Sequence, residues 1–433
     1  MFRSIVTILI YTSIFVWSYV FAKEPFEFYF AYLVFAALFP FYFMRYGVPK
    51  RPIYIFLPLL IAGIVYCEVG LNEYNQFFKV FIGFFASSLF FHYVLEMYNF
   101  DFKRMFRYYM IGSLIVSLIG IMQLLAYKAG ISKLYHFGWL FNKWSVTQGG
   151  LGIRVNSIFS EPAYFAAVIA PAFFVSIYNV ATRTTLFITR RQSVIIAIAY
   201  LLTFSSVGIG AVFLVIILLL LNFGFFRYAI IFIPIFIFSF QYAYENVPEF
   251  RDRYVGTIEI FTTGNYQSYD IHGSSFVLYN NYHIAMENFR RNPVFGTGLG
   301  SHPIAFDKYS LTLLEGAVDI DFNKMDANSM LLRMFSETGI YGLVVMLLLL
   351  TRSWIFKSTA RTREHWVMSN ALACIILLYL LRQGHYFING FPFFMWLFFY
   401  LKKDNNGELD HLRTPEELRE MGVIVPEEAQ PAS

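Results

Sequence analysis

The sequence predicts an all-α integral membrane protein with about twelve transmembrane helices and a large helical extracytoplasmic loop between spans nine and ten. Three observations lead there. Only 14% of the 433 residues are charged and 58% are hydrophobic, whereas a soluble domain carries about 25% charged residues. Phe and Tyr number 52 and 31, more apolar area than a water-facing surface carries. The apolar stretches recur along nearly the whole chain. That distribution excludes a single anchor on a soluble enzyme, a disordered chain and a disulfide scaffold.

At about 20 residues per crossing, the spans fall at 4–22, 26–44, 53–67, 77–97, 106–127, 158–181, 193–207, 209–226, 228–244, 339–357, 366–382 and 386–401. The third and seventh are short. Ser205-Ser206-Val207-Gly208 marks a tight turn between the seventh and eighth. The first lacks a small-residue cleavage site before Lys23-Glu24-Pro25, so it reads as a retained span and not a signal peptide. Cys67 and Cys374 lie in or beside apolar runs and read as buried thiols.

Basic residues in short connections set the orientation. One side holds Arg45, Lys50 and Arg51, then Lys103, Arg104 and Arg107, then Arg183, Arg190, Arg191 and Arg227. Arg352, Lys357, Arg361, Arg363, Lys402 and Lys403 continue that side, while the alternate connections carry few cations. Both termini of this multi-pass chain are therefore expected in the cytoplasm. The net charge of +5 reports membrane orientation, and no nucleic-acid partner is expected. The chain divides into spans one to nine at 1–244, the large loop at 245–338, spans ten to twelve at 339–401, and an acidic cytoplasmic tail at 402–433. Within the loop, Phe276 to Arg291 is amphipathic and Ser329 to Phe335 is a second helical run. The tail holds one helix start, Thr414-Pro415-Glu416-Glu417, and is assigned no catalytic role.

Charges at the edge of the hydrocarbon are costly, which directs attention to four places. The first is Arg154-Val155-Asn156-Ser157-Ile158-Phe159-Ser160-Glu161-Pro162-Ala163, with Glu161 expected one or two turns into span six. A helix beginning at a pocket offers free N–H groups to an anion; the competing reading is an ion pair at the boundary. The second is Arg251, Arg253, Arg290 and Arg291 with Asn292-Pro293-Val294-Phe295-Gly296-Thr297-Gly298-Leu299-Gly300-Ser301-His302. Alternating glycines let backbone approach a ligand, and a nest of N–H groups holds phosphate; a solvated basic surface is the alternative. Third, Asp326 to Gly339 includes Asn328, Arg333 and Glu337, a polar group that needs a partner. Much of that segment has the spacing of helix packing. Fourth is the turn Arg382-Gln383-Gly384-His385-Tyr386, where Arg382 either closes an anionic pocket or snorkels to the interface. Metal-ligand spacings and a Walker loop are both absent from the sequence, so neither a metal nor a cofactor is expected. Arginine forks match phosphate oxygens, so an anionic diphosphate presented from lipid is the expected ligand.

These segments, in this order, resemble the O-antigen polymerase and O-antigen ligase superfamily, membrane glycosyltransferases of the bacterial cell envelope. The resemblance rests on the twelve-span plan and on Arg154…Ser160-Glu161-Pro162-Ala163, Asn292-Pro293…Gly296-Thr297-Gly298-Leu299-Gly300 and Asn328-Ser329…Glu337-Thr338-Gly339…Gly342, about the C-terminal two thirds of the chain. It implies a GT-C-like fold in the bacterial inner (plasma) membrane and a metal-independent reaction at its outer leaflet. The donor and acceptor would be glycans on undecaprenyl diphosphate, joined into an O-antigen or exopolysaccharide. A chain-length regulator and a flippase would be further partners. By resemblance Arg154 binds diphosphate, and Arg253 with Gly264 fits the family's Arg-x10-Gly pattern. Family ligases carry His-Asn-x-x-Leu where this chain has Asn328-Ser329-Met330-Leu331-Leu332. They also often carry an Arg that 276–284 lacks, so polymerase is favoured over ligase.

The expected catalytic residues are Glu161 as base, His302 as its alternate, and Arg154. Arg154, Arg253 and Arg382 would hold the diphosphate. Arg290, Arg291, Asn328, Arg333, Glu337, His385 and Tyr386 would contact diphosphate or glycan. The alternatives are an O-antigen ligase acting on lipid A–core, a lipid-linked glycan flippase or transporter, and a structural scaffold.

Overall fold

The computed structural model describes residues 2–22, 27–149, 151–222, 226–246, 248–264, 273–311 and 323–414. In chain order its helices begin with α1 (Phe2–Phe15), α2 (Phe30–Tyr46), α3 (Lys50–Glu68), α4 (Tyr74–Met97), α5 (Phe102–Lys128) and α6 (Ser132–Tyr135). Next come α7 (Pro162–Thr182), α8 (Arg190–Leu201), α9 (Ser206–Asn222), α10 (Phe226–Asn246) and α11 (Pro248–Thr263). The last are α12 (Gly273–Arg291), α13 (His302–Tyr309), α14 (Met330–Glu337), α15 (Gly339–Ser353), α16 (Arg363–Arg382) and α17 (Phe391–Asn405). Each of the twelve apolar stretches holds one of these helices. Five of them, α3, α4, α5, α7 and α16, are long and apolar enough to cross a bilayer. The chain is thus a mostly helical membrane protein. Its bare surface agrees, because Ile61, Leu125 and Leu347 are each more than half exposed, an arrangement that suits lipid and not water.

α7 and α16 form the centre of the bundle. Of their apolar windows 78% and 83% are buried, against 28% for α3. α7 packs against α8, α16 and α9, and α16 against α17 and α14. Cys67 and Cys374 are buried free thiols, as the sequence indicates. The expected basic connections gather at one end of the bundle. There Arg51 lies over the ring of Tyr400 and Lys103 meets Glu364 at 3.6 Å. The N-termini of α4 and α7 and the C-terminus of α16 lie at the other end.

Two local expectations are corrected. The first apolar stretch is not one helix, because α1 stops at Phe15 and Val20–Ala22 (β1) pairs antiparallel with Phe28–Tyr29 (β2). Asn142 fixes β1 in extended form, accepting from the Val20 N–H at 2.9 Å and donating to its carbonyl at 2.6 Å. Glu161 is not inside span six; it is the residue before α7, whose first position is Pro162. Proline is suited there because the N–H it lacks is unpaired in any helix start.

The connection before α7 is ordered by a buried polar network that the sequence did not reveal. Thr147–Gly149 (β3) and Gly152–Arg154 (β4) form an antiparallel hairpin. Gln123 of α5 then donates to Asn156 Oδ1 at 2.8 Å and accepts from the Ser157 N–H at 2.9 Å. At the same end α12 packs against α11, α13 and α14 as a small cap. The tail's helix start at Thr414–Glu417 extends beyond the described residues, as do 415–433.

Candidate functional site

A cavity of about 800 Å3 lies at the end where α7 and α4 begin and α16 finishes. One wall is apolar. Phe35, Ala36 and Phe39 of α2 face it together with Phe78, Ile82 and Ala86 of α4. Ala36, Phe78 and Ile82 are also exposed on the outside of the bundle, so this wall continues to the surface. The polar lining is Lys79 of α4 with Lys143, Glu27, Asp326, Arg333 and His385.

The polar lining centres on His385, in the connection between α16 and α17. Its Nε2 lies 3.2 Å from Asp326 Oδ2 and 2.9 Å from the Tyr164 hydroxyl. A proton on Nε2 is donated to the carboxylate, which leaves Nδ1 with its lone pair. Burial alone would raise the Asp326 carboxyl. The hydrogen bonds from His385 and from the Asn328 N–H, the latter to Asp326 Oδ1 at 3.0 Å, instead lower it. The turn is built for this contact. Asn323, Ala327 and Asn328 take left-handed φ of 58°, 56° and 52°. A Cβ at Gly384 would run into the Asp326 carbonyl. Asn328 thus has a conformational role, since Asn tolerates the left-handed region better than most residues.

Arg333 is anchored by α14. Its Nε donates to Glu337 Oε1 at 2.8 Å, its Nη1 donates to the Gly384 carbonyl at 2.9 Å, and its guanidinium lies 4.8 Å from the Tyr386 ring centre. Both members of the ion pair are almost wholly buried. Glu337 therefore finds the partner that its burial demands. It aims Arg333 at the chamber and does not line the chamber itself. Burial, with Glu337 adding to it, raises the Tyr386 phenol well above its ordinary range.

Lys143 reaches the chamber from the connection before β3. It pairs with Glu27 at 2.6 Å, and Tyr29 donates a short hydrogen bond to the same carboxylate. Burial would raise Glu27, but those two hydrogen bonds lower it. Glu161 stands beside this group. Its side chain is solvent-accessible yet walled in by protein, and that desolvation, with the Asp326 charge, raises its carboxyl. Arg154, His385 and Lys143 pull the other way. Arg154 donates to the Thr203 carbonyl at 3.3 Å and lies within electrostatic reach of Glu161.

The other expected residues are dispersed. His302 is fully buried in the cap, bonded through Nε2 to Asn281 Oδ1 at 3.0 Å, and is outside the chamber lining. Arg382 is half-buried, lies outside the chamber lining and donates to Ser206 at 3.3 Å. Arg290 and Arg291 are exposed beside Glu287, and Arg290 pairs with it at 2.8 Å. The backbone of Arg253 belongs to α11, and its side chain lies outside the described residues.

The glycine-rich stretch is corrected as well. Gly296, Gly298 and Gly300 do take positive φ, but Thr297 and Gly298 donate their N–H groups to the carbonyls of Ser336 and Glu337. Gly296 thus packs on the end of α14, whereas Gly298 approaches Asn72 and Gly300 approaches the Gln76 carbonyl of α4. Lys79, Lys143, Asp326 and Tyr164 were not singled out from the sequence. Lone Lys and Tyr residues carry no spacing signal, and only Asp326 fell within a segment already marked. Among the described residues no three His, Cys, Asp or Glu side chains gather as metal ligands do. Comparison of the chain with family models gives no match, and comparison with curated proteins gives no relative.

Proposed function

We propose that the chain is a membrane glycosyltransferase of the O-antigen polymerase type. In this reading it has twelve spans in a GT-C-like arrangement, both termini are cytoplasmic, and the chamber opens on the extracytoplasmic side of a bacterial inner membrane. The observation that carries the proposal is the mixed lining of the chamber. An Asp326–His385–Tyr164 chain and three cations line it together with apolar side chains that continue to the outside of the bundle. A ligand with hydroxyl-bearing sugars, an anionic head and a hydrocarbon tail suits both kinds of lining. A lipid-diphosphate-linked oligosaccharide is such a ligand.

The chemistry follows from the residues. Lys79, Lys143 and Arg333 hold the diphosphate, and Lys143 exchanges Glu27 for it. An acceptor sugar hydroxyl then attacks the donor's anomeric carbon, and the bond from that carbon to the phosphate oxygen breaks. Lipid diphosphate departs with the electron pair, and His385 Nδ1 takes the hydroxyl proton. Asp326 keeps the imidazole in the tautomer that accepts at Nδ1 and stabilises the imidazolium that forms. Fixed cations in a partly dry chamber favour the charge building on the leaving group. His385 here takes the place that the sequence suggested for Glu161 or His302.

Purified protein in liposomes with a lipid-diphosphate-linked repeat unit tests the proposal. A ladder of lengthened glycans supports it. Intact substrate crossing the bilayer without lengthening makes the chain a transporter. Product formed only when a lipid A–core acceptor is supplied makes it a ligase.

A further inference from the structure

A second cleft, of about 340 Å3, lies on another flank of α13; small-ligand sites span roughly 300–1,000 Å3. The chamber and the cleft share this one helix as a wall. Pro303 faces the chamber, whereas Ile304, Ala305 and Lys308 line the cleft. The end of α12 supplies the facing side with Asn288, Arg291 and Asn292.

Among the described residues the charged lining of the cleft is Arg291 and Lys308, with no carboxylate. Both cations lie over one ring, Arg291 Cζ at 5.2 Å and Lys308 Nζ at 5.3 Å from the centre of Tyr309. Like charges drawn to one ring repel each other, and an anion set between them relieves that repulsion. The neighbouring Glu287 does this poorly, because it binds Arg290 at 2.8 Å and comes only to 4.0 Å from Arg291. Asn288 spends its amide on Thr297 and Ser336 and so fixes the floor. Asn292 and Tyr309 are further polar residues of the lining, of a kind suited to sugar hydroxyls.

We infer that this cleft is a second glycan subsite, one that takes a carboxylate-bearing sugar of an oligosaccharide passing over α13 from the chamber. The assignment rests on the glycan-transfer reading of the chamber. The Arg291 fork and the Lys308 ammonium bind the carboxylate, and the amide and phenol groups bind the ring hydroxyls. A hexuronate is the simplest sugar that carries both kinds of group.

The test is binding to the full-length protein in nanodiscs, with tetragalacturonate as probe and neutral maltotetraose as control. Tetragalacturonate should bind and maltotetraose should not. The doubly reversed R291E/K308E protein should bind tetragalacturonate at least about tenfold more weakly, while R382A, altered outside both the chamber and the cleft, should bind it unchanged. Equal affinity for the two tetrasaccharides overturns the inference, as does undiminished binding by R291E/K308E. Loss of binding in R382A, or displacement of the probe by phosphatidylglycerol, overturns it as well. The readout needs no turnover. A protein that binds tetragalacturonate but lengthens no glycan refutes the polymerase reading and leaves this subsite standing.

Discussion

His385 Nε2 stands 3.2 Å from Asp326 Oδ2, joining the connection after α16 to the turn before α14 in the wall of the chamber. The carboxylate fixes the imidazole from one side and leaves Nδ1 as the basic atom. Replacing His385 by Ala removes the proposed base and should lower turnover by about 10²–10⁴-fold. Asp326→Asn should lower turnover with little change in KM, since the tautomer and not substrate contact is lost. A rise in KM alone for D326N contradicts this division of roles.

Gly384 allows that pairing. A Cβ there meets the Asp326 carbonyl, so Gly384→Ala should destabilise the protein by about 1–3 kcal/mol and impair turnover. At Gly210 in α9 a Cβ meets nothing within 4 Å. Gly210→Ala should therefore be neutral or stabilising by up to about 1 kcal/mol. Thermal melts of the two variants in one detergent check the contrast.

The Arg333–Glu337 pair separates stability from activity. Glu337→Ala leaves a buried guanidinium uncompensated and should cost about 3–5 kcal/mol. The apolar double variant R333M/E337L should recover much of that stability and still be inactive, because the chamber loses a cation. Recovery of activity by the double variant would show that Arg333 only packs.

Burial, helped by the Arg333 guanidinium, pushes the His302 imidazole down from 6.5 to about 3. The unfolded chain therefore takes up a proton below pH 6.5 that the folded chain refuses until about pH 3. His302 thus costs stability progressively as pH falls through that window. His302→Gln keeps a donor for Asn281 and removes the titration. Its melting temperature should fall less steeply than that of the unaltered protein between pH 6.5 and pH 4. Parallel curves would contradict the buried neutral imidazole.

The membrane character and the helices were legible because burial in lipid writes a simple, long apolar signal. All twelve apolar stretches hold helices. Pro162 also marks a helix start, although one residue beyond Glu161 and not before it. The site was less legible because it is assembled from distant turns. Arg333, His385 and Glu337 were singled out as polar groups in apolar surroundings, yet nothing in their spacing tells that Glu337 serves Arg333. Lys79 and Lys143 resemble any boundary lysine until α2, α4 and the 128–157 connection come together. Arg382 and Arg290 drew notice by charge alone, and charge does not tell which way a side chain points.

Glycan lengthening by purified variants tests the central claim most directly. Unaltered protein and Arg382→Ala, whose side chain lies outside the chamber, should both build a ladder from a lipid-diphosphate-linked repeat unit. His385→Ala and Lys79→Ala/Lys143→Ala should yield single units or a drastically shortened ladder. A full ladder from folded His385→Ala protein would contradict the assignment of the chamber as the place where sugar is transferred.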